Sequence, residues 1–87
     1  MAVEPVPGLS VRVFDTGWME ITRPDSADRL LCDEMGTAMW IALCQESWRL
    51  GDAVASLSRT WEADPWSIRD QMCDWIADLT DAGVLQH

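Results

Sequence analysis

Hydrophobic residues follow one pattern in the first third of the chain and a different one in the rest. Early in the chain they form short runs of strand-favouring residues separated by Gly, Pro and Asp turn residues, which is typical of β-strands. From residue 33 onward they recur at intervals of three and four, which is typical of amphipathic helices. The pattern predicts an antiparallel meander of three strands, at residues 11–14, 18–22 and 29–32, followed by three helices.

The three predicted helices have recognisable ends. Asp33 is a suitable N-cap for the first helix, and the second helix is expected to start near Asp52. The third helix has the clearest start, with Asp64 as N-cap and Pro65 as its first residue, a pairing that helices favour. Gly83 can terminate it.

The first predicted helix contains a glycine, Gly36, near its start. A helix-interior glycine is less favourable than Ala by about 1 kcal/mol, so Gly36 is a weak point of this helix unless another element packs closely there. The spacing of apolar residues predicts which side chains this helix buries, namely Met35, Met39, Ala42 and Leu43.

The third predicted helix has three distinct faces at about 100° per residue. The face expected to meet the core carries Ile68, Met72, Trp75, Ile76 and Leu79. An acidic stripe of Asp70, Asp74 and Asp78 follows at four-residue spacing, where like charges slightly destabilise a helix. The flank between them is small or apolar with one positive charge, and it comprises Trp66, Arg69, Cys73, Ala77 and Thr80. This flank could form the floor of a groove or pack against the strands.

Chain length predicts a single domain, because 87 residues leave no room for a second core. Pro5 and Pro7 predict an extended arm over residues 1–9, which leaves residues 10–87 as the domain. The start of the chain has no signal-peptide pattern, and no apolar run approaches the roughly 20 residues that span a bilayer. We therefore expect a cytoplasmic protein with no membrane partner.

The charge balance narrows the partner further. The formal net charge is −9, from 15 acidic and 6 basic residues, which disfavours nucleic acid because phosphate binding requires a basic surface. A basic or apolar peptide suits the charge better. Six Trp residues supply area either for the core or for gripping another chain.

Catalytic, metal and cofactor sites have little support in the sequence. Cys32, Cys44 and Cys73 are far apart and lack the spacing of a zinc site, and His87 is the one histidine of the chain. There is no Gly-rich phosphate loop and no G-x-S-x-G motif. We therefore expect a protein that is not an enzyme, with no metal and no cofactor, and with cysteines that act as buried small hydrophobic residues.

Three segments of this sequence resemble one known family. They are residues 31–40 (LCDEMGTAMW), 50–57 (LGDAVASL) and 76–85 (IADLTDAGVL). The sequence is similar there to the PqqD-like domains, also called RiPP recognition elements, and its size is most similar to the stand-alone leader-binding proteins of lasso-peptide biosynthesis. It departs from the family pattern at Asp33, where Asn is common, and at Cys32, where apolar residues dominate. The resemblance implies an α+β, winged helix-turn-helix-like fold.

The resemblance also implies a function. In this family the leader segment of a ribosomally made precursor peptide adds as a strand to the edge of the third strand and lies against the third helix, a mode known as strand addition. Transferred to this sequence, it predicts a role as a peptide chaperone that delivers the precursor to a processing enzyme, a lasso-peptide leader protease. The predicted leader-peptide-binding residues are Arg29, Leu30, Leu31, Cys32, Trp66, Arg69, Asp70, Cys73, Asp74, Ile76 and Ala77.

The sequence is compatible with two other hypotheses about function. A PqqD-type chaperone would pass its peptide to a radical-SAM enzyme instead of a protease, and the sequence does not distinguish these partners. A winged-helix DNA-binding regulator has the same outline, but its recognition helix should be basic, whereas this one carries several aspartates against the single Arg69. An exposed edge strand could also pair with its copy and give a homodimer.

Overall fold

The computed structural model describes residues 3–87 and confirms the predicted α+β, winged-helix-like architecture, with a three-stranded antiparallel sheet followed by three helices. The strands are β1 (Glu4–Pro5), β2 (Ser10–Val13), β3 (Met19–Thr22), β4 (Arg29–Cys32) and β5 (Leu85–Gln86). The helices are α1 (Glu34–Gln45), α2 (Leu50–Trp61) and α3 (Pro65–Asp81). None of these helices combines the length and apolar character that crossing a bilayer requires.

The main sheet has the order β2-β3-β4, so β3 is central and the other two strands are edges. Met19 pairs with Cys32 and Ile21 with Leu30, which places these four side chains on one face because strand side chains alternate. That face meets the helices. Met19, Ile21 and Cys32 are buried there, and Leu30 is half-buried.

Capping fixes the ends of α1 and α3 as the sequence predicted. The carboxylate of Asp33 accepts a hydrogen bond from the Gly36 N–H at 2.9 Å, and that of Asp64 accepts one from the Ser67 N–H at 3.1 Å. Gly83 follows α3 with a φ of 80°, a left-handed conformation that favours glycine. By contrast α2 begins at Leu50, before the predicted start near Asp52, and burial of Leu50 in the core accounts for the extra residues.

The helices enclose a core that contains Met39, Leu43, Leu57, Met72 and Leu79. Met35, which the sequence pattern assigned to this core, is 48% exposed instead, so that prediction was wrong. Met35 instead lines an open depression beside Gln71 and Asp74 of α3. The expectation of buried cysteines holds for Cys32 alone, since Cys73 is half-buried and Cys44 is exposed.

The tryptophans divide between the core and the surface. Trp40 is buried and makes edge-to-face contacts with Trp48 and Trp75, with ring centroids 5.0 and 6.5 Å apart. Trp61 also packs against the core, whereas Trp18 and Trp66 are exposed. The aromatic contacts tie α1, the α1–α2 loop and α3 together, a favourable arrangement for indole rings.

The start of the chain packs onto its end. Glu4 and Pro5 of β1 pair with Gln86 and Leu85 of β5 in a small antiparallel sheet, and Val3 is buried beside it. Residues 1–2 of the predicted N-terminal arm lie outside the described residues. The division into an arm at residues 1–9 and a domain at residues 10–87 stays a prediction, although residues 3–5 have this fixed place.

Candidate functional site

The outer edge of β4 is unpaired within residues 3–87, and the register shows which backbone groups it offers. The Phe14 N–H donates to the Trp18 carbonyl at 2.8 Å, which makes these residues a hydrogen-bonded pair. Such pairs alternate along an antiparallel ladder, so the residues of β4 that bond to β3 are Leu30 and Cys32. The N–H and C=O groups of Arg29 and Leu31 therefore point outward and are available to another strand.

A groove runs between this free edge and helix α3. It consists of two depressions, of about 360 and 220 Å³, that share Leu30. Cys32 lies beside Trp75 in the larger depression, and Arg29 beside Ala82 in the smaller. The strand and the helix therefore run in opposite directions, and we call the space between them the β4–α3 groove.

The larger depression has mostly apolar walls. Trp75 and Leu79 of α3 form one side, while Leu31 and Trp18 stand at the other. Leu31 is 58% exposed although it belongs to a strand, and Trp18 is also exposed. Large apolar side chains grouped around one concave surface are typical of a binding site rather than of ordinary surface.

Gly36 shapes the end of this depression. A Cβ atom at this position would lie 3.1 Å from Trp75 Nε1 and 3.2 Å from Cys32 Cβ. Glycine is therefore what lets the indole of Trp75 lie against the first turn of α1, and this close packing is the condition under which a glycine suits that position. The indole also contacts the buried ring of Trp40, which fixes the position of the groove wall.

The two ends of the β4–α3 groove differ in charge. Asp33 and Asp78 line the end near Trp75, and Asp74 lies in the adjoining depression; among residues 3–87, none of the basic ones lines either depression. At the other end the two arginines are occupied. Arg29 pairs with Glu20 at 3.4 Å and Arg23 with Asp25 at 3.6 Å, and Arg23 also donates to the Ala82 carbonyl at 3.0 Å. The Trp75 end is therefore negative, and it suits a cationic side chain.

The thiol of Cys32 lies in the groove wall but is not an activated nucleophile. Burial raises its pKa, a hydrogen bond with the Trp75 side chain lowers it by less, and the neighbouring Asp33 carboxylate raises it further. The thiol therefore stays protonated near neutral pH, whereas a reactive cysteine needs a lowered pKa. Within residues 3–87 no three His, Cys, Asp or Glu side chains are grouped so as to hold a metal ion.

The structure brings together only part of the predicted site. Arg29, Leu30, Leu31 and Cys32 all line the β4–α3 groove, and Asp74 lies at its margin. The remaining predicted positions on α3 are not part of its lining, and Ile76 is buried in the core. Those that lie elsewhere on the helix are Trp66, Arg69, Asp70, Cys73 and Ala77.

The predicted helix face therefore does not line the β4–α3 groove, and helix geometry gives the reason. Trp75 and Asp78, which do line the groove, follow Trp66 and Arg69 by nine residues, or two and a half helical turns. They consequently point to the opposite side of α3. The sequence pattern placed Trp75 on the face of α3 that is expected to meet the core, and β4 lies along the border of that face. The one available signal was Gly36, a weak point of α1 unless another element packs closely there.

Comparison with known proteins bears on the fold. No family model matches the chain, and no curated protein matches it. Among solved structures, that of TbiB1 in complex with the TbiA(beta) leader peptide is similar, with a TM-score of 0.81 and 15% sequence identity. The similarity covers 99% of this chain and 95% of TbiB1. At this level of identity the likeness shows a shared fold over the whole length of both chains.

Proposed function

We propose that this protein binds the leader segment of a ribosomally synthesised precursor peptide by strand addition to β4. The observation that carries the proposal is the unpaired β4 edge, which faces α3 across an apolar groove. A shared fold with a protein solved in complex with a leader peptide supports it, as does the resemblance of three sequence segments to RiPP recognition elements.

Backbone pairing would supply part of the affinity. Arg29 and Leu31 offer two N–H and two C=O groups at the free edge, and each hydrogen bond contributes about 0.5–1.5 kcal/mol net. Four such bonds fall short of the roughly 8 kcal/mol that micromolar binding requires. Apolar leader side chains against Trp75 and Leu79 therefore have to supply the remainder, and they also give selectivity because only some sequences fit.

The charge of the groove adds a preference among leader sequences. A lysine or arginine of the leader would lie at the end lined by Asp33 and Asp78, beside the indole of Trp75. The carboxylates attract the cation, and the face of an indole ring favours it further. Asp70 and Arg69, which the sequence placed among the leader-binding residues, lie outside the groove lining.

The bound precursor would be delivered to a processing enzyme, and we propose a lasso-peptide leader protease acting in the cytoplasm, where precursor peptides are made. A radical-SAM enzyme is the alternative recipient. The genes beside the one that encodes this protein distinguish the two, because a protease and a lasso cyclase accompany the first case and a radical-SAM enzyme the second.

The experiment that tests leader binding is a titration of the ¹⁵N-labelled protein with the leader peptide encoded beside its gene, followed by amide hydrogen exchange. We expect saturable binding and slower exchange at the outward N–H groups of Arg29 and Leu31. The matched internal control is β2, whose outward N–H groups belong to Val11 and Val13 and should exchange as before. The proposal would be overturned if the folded protein did not bind this leader, or if it bound the leader no better than a scrambled version of it.

A further inference from the structure

Trp66 lies on the side of α3 that faces away from the β4–α3 groove. It is 71% exposed, the highest value for a large apolar side chain within residues 3–87. Single exposed apolar residues are common, so exposure alone does not identify a binding surface and the neighbouring residues have to be considered. Arg69 is one turn further along the same face, and tryptophan and arginine are the residue types in which interface binding energy concentrates.

Arg69 is one of two arginines that line a single depression of about 530 Å³, the other being Arg49. Most other arginines are engaged: Arg23 and Arg29 form ion pairs, and Arg12 lies over the ring of Phe14 at 5.3 Å. Neither of the two that line the depression forms an ion pair within residues 3–87. In a chain of net charge −9, two unpaired cations in one concavity make a local positive site.

The one carboxylate among the lining residues, that of Glu4, already has a partner. It accepts a hydrogen bond from the Gln86 side-chain amide at 3.3 Å. The neutral amide leaves the charge of Glu4 unchanged, so the described lining residues carry two positive charges against one negative, and the positive charge is only partly balanced. A negatively charged group of another molecule would pair with the remaining positive charge.

The backbone at the rim of this depression is also unusual. Ser47 and Trp48 have φ angles of 56° and 62°, a left-handed conformation that favours glycine and that tends to persist at functional sites. Arg49 precedes α2 as its N-cap without a side-chain hydrogen bond to the helix. The first N–H groups of α2 therefore add to the positive character of the surface, and Gly51 leaves open space beside them.

We propose that this surface, formed by Trp66, Arg69, Arg49 and Trp48, docks the enzyme that processes the bound peptide. We name it the tryptophan–arginine surface. The matching surface of the enzyme is an apolar pocket that receives Trp66 and carboxylates that pair with the two arginines. The inference rests on the proposed function, since a protein that delivers a peptide needs one surface for the peptide and another for the recipient.

Helix geometry allows both surfaces to be occupied at once. Trp66 and Trp75 are nine residues apart on α3, which places them on opposite sides and separates them by about 13 Å along the helix axis. An enzyme on the tryptophan–arginine surface would therefore leave the β4–α3 groove open to the peptide. The edge-to-face contacts that Trp40 makes with Trp48 and with Trp75 link the two surfaces through the core.

The test measures enzyme binding and leader binding separately. The full chain is titrated, without peptide, with the processing enzyme encoded beside its gene, and then independently with a fluorescent leader peptide. Trp66→Ala and Arg69→Glu should each weaken enzyme binding by at least about tenfold and leave leader affinity unchanged. Arg59→Glu is the matched control, because Arg59 is exposed, forms no ion pair within residues 3–87 and lies outside the depression.

Three outcomes overturn the inference: no binding of the enzyme to the folded wild-type protein, an equal loss in Arg59→Glu, or unchanged enzyme binding in both surface variants. Sedimentation of the protein alone provides a further check, since self-association lost in Trp66→Ala would assign the surface to a second copy instead. Failure of leader binding in the second titration counts against the proposed function alone, because enzyme binding is measured without peptide.

Discussion

The two edges of the main sheet have similar backbones but very different surroundings. Both β2 and β4 are four residues long, and both pair with β3 on one side only. In each strand, the backbone N–H and C=O groups of two residues point outward. Every residue of β2 is exposed, whereas β4 faces α3 across a groove walled by Trp75 and Leu79. A strand added to β2 would gain hydrogen bonds and could pack only beside the exposed Val11 and Val13, but one added to β4 would also bury its side chains against α3.

This contrast teaches that a free edge becomes a selective site when a second element stands beside it. A backbone hydrogen bond to the peptide replaces hydrogen bonds to water, so its net contribution to the binding free energy is small. Every peptide can form such bonds. Burial of apolar area contributes about 25 cal/mol per Å² and depends on sequence. The difference between the edges is therefore set by α3 rather than by the strands themselves.

The largest expected effect is on strand pairing, and Leu31→Pro tests it. Proline removes an outward N–H that would donate to the leader and leaves the bonds between β4 and β3 in place. We expect leader affinity to fall about 10- to 100-fold, the equivalent of one lost donor with its partner left unsatisfied. Val11→Pro makes the same change at the opposite edge and should leave affinity intact. Fluorescence anisotropy measures both, and equal losses would remove the distinction between the edges.

The groove wall is tested next by Trp75→Leu. This change keeps an apolar residue but removes the indole that closes the larger depression, and we expect leader affinity to fall about tenfold because aromatic anchors dominate binding energy. Trp66→Leu, on the opposite side of the same helix, is the control and should bind the leader normally. Thermal unfolding of both variants separates a binding defect from a folding defect. An equal reduction in the two variants would contradict the assignment of the wall.

A third prediction concerns the stability of the element behind the groove, and it compares two helix glycines. Gly51→Ala should stabilise the protein by up to about 1 kcal/mol, the usual gain in a helix, because within residues 3–87 no atom of another element lies within 4 Å of the added methyl group. Gly36→Ala should lose that gain and reduce stability, because the methyl group would press on Trp75 and Cys32. Urea denaturation measures the free energy of unfolding, and a similar gain in both variants would show that the contact at Gly36 is loose.

The smallest effect is electrostatic. Asp78→Lys reverses a charge in the groove lining and should weaken binding of a leader that has a basic residue there by about two- to fivefold, as for other exposed ion pairs. Asp70→Lys makes the same change in net charge outside the groove lining and should have less effect. The difference between the two should shrink as salt is added, since exposed charges are screened. A difference that persists at 1 M salt would indicate a contact of another kind.

Much of the local structure was predictable from the sequence. The third strand, residues 29–32, lies where the pattern of apolar and turn residues placed it. Both aspartate caps hold the N–H groups expected of them, and Gly83 ends α3 in the conformation for which glycine is suited. These features depend on residues adjacent in sequence, so local chemistry determines them.

The sequence by itself thus determined the order of the elements, the position of the edge strand β4 at residues 29–32 and the acidic character of the protein. Only the tertiary structure decided which side of α3 stands beside that edge, and it selected Trp75 and Asp78 over Trp66 and Arg69. A helical pattern fixes the relative angles of side chains around one axis. It does not fix the rotation of that axis relative to a sheet, which is set by packing between residues far apart in the chain, such as Gly36 and Trp75.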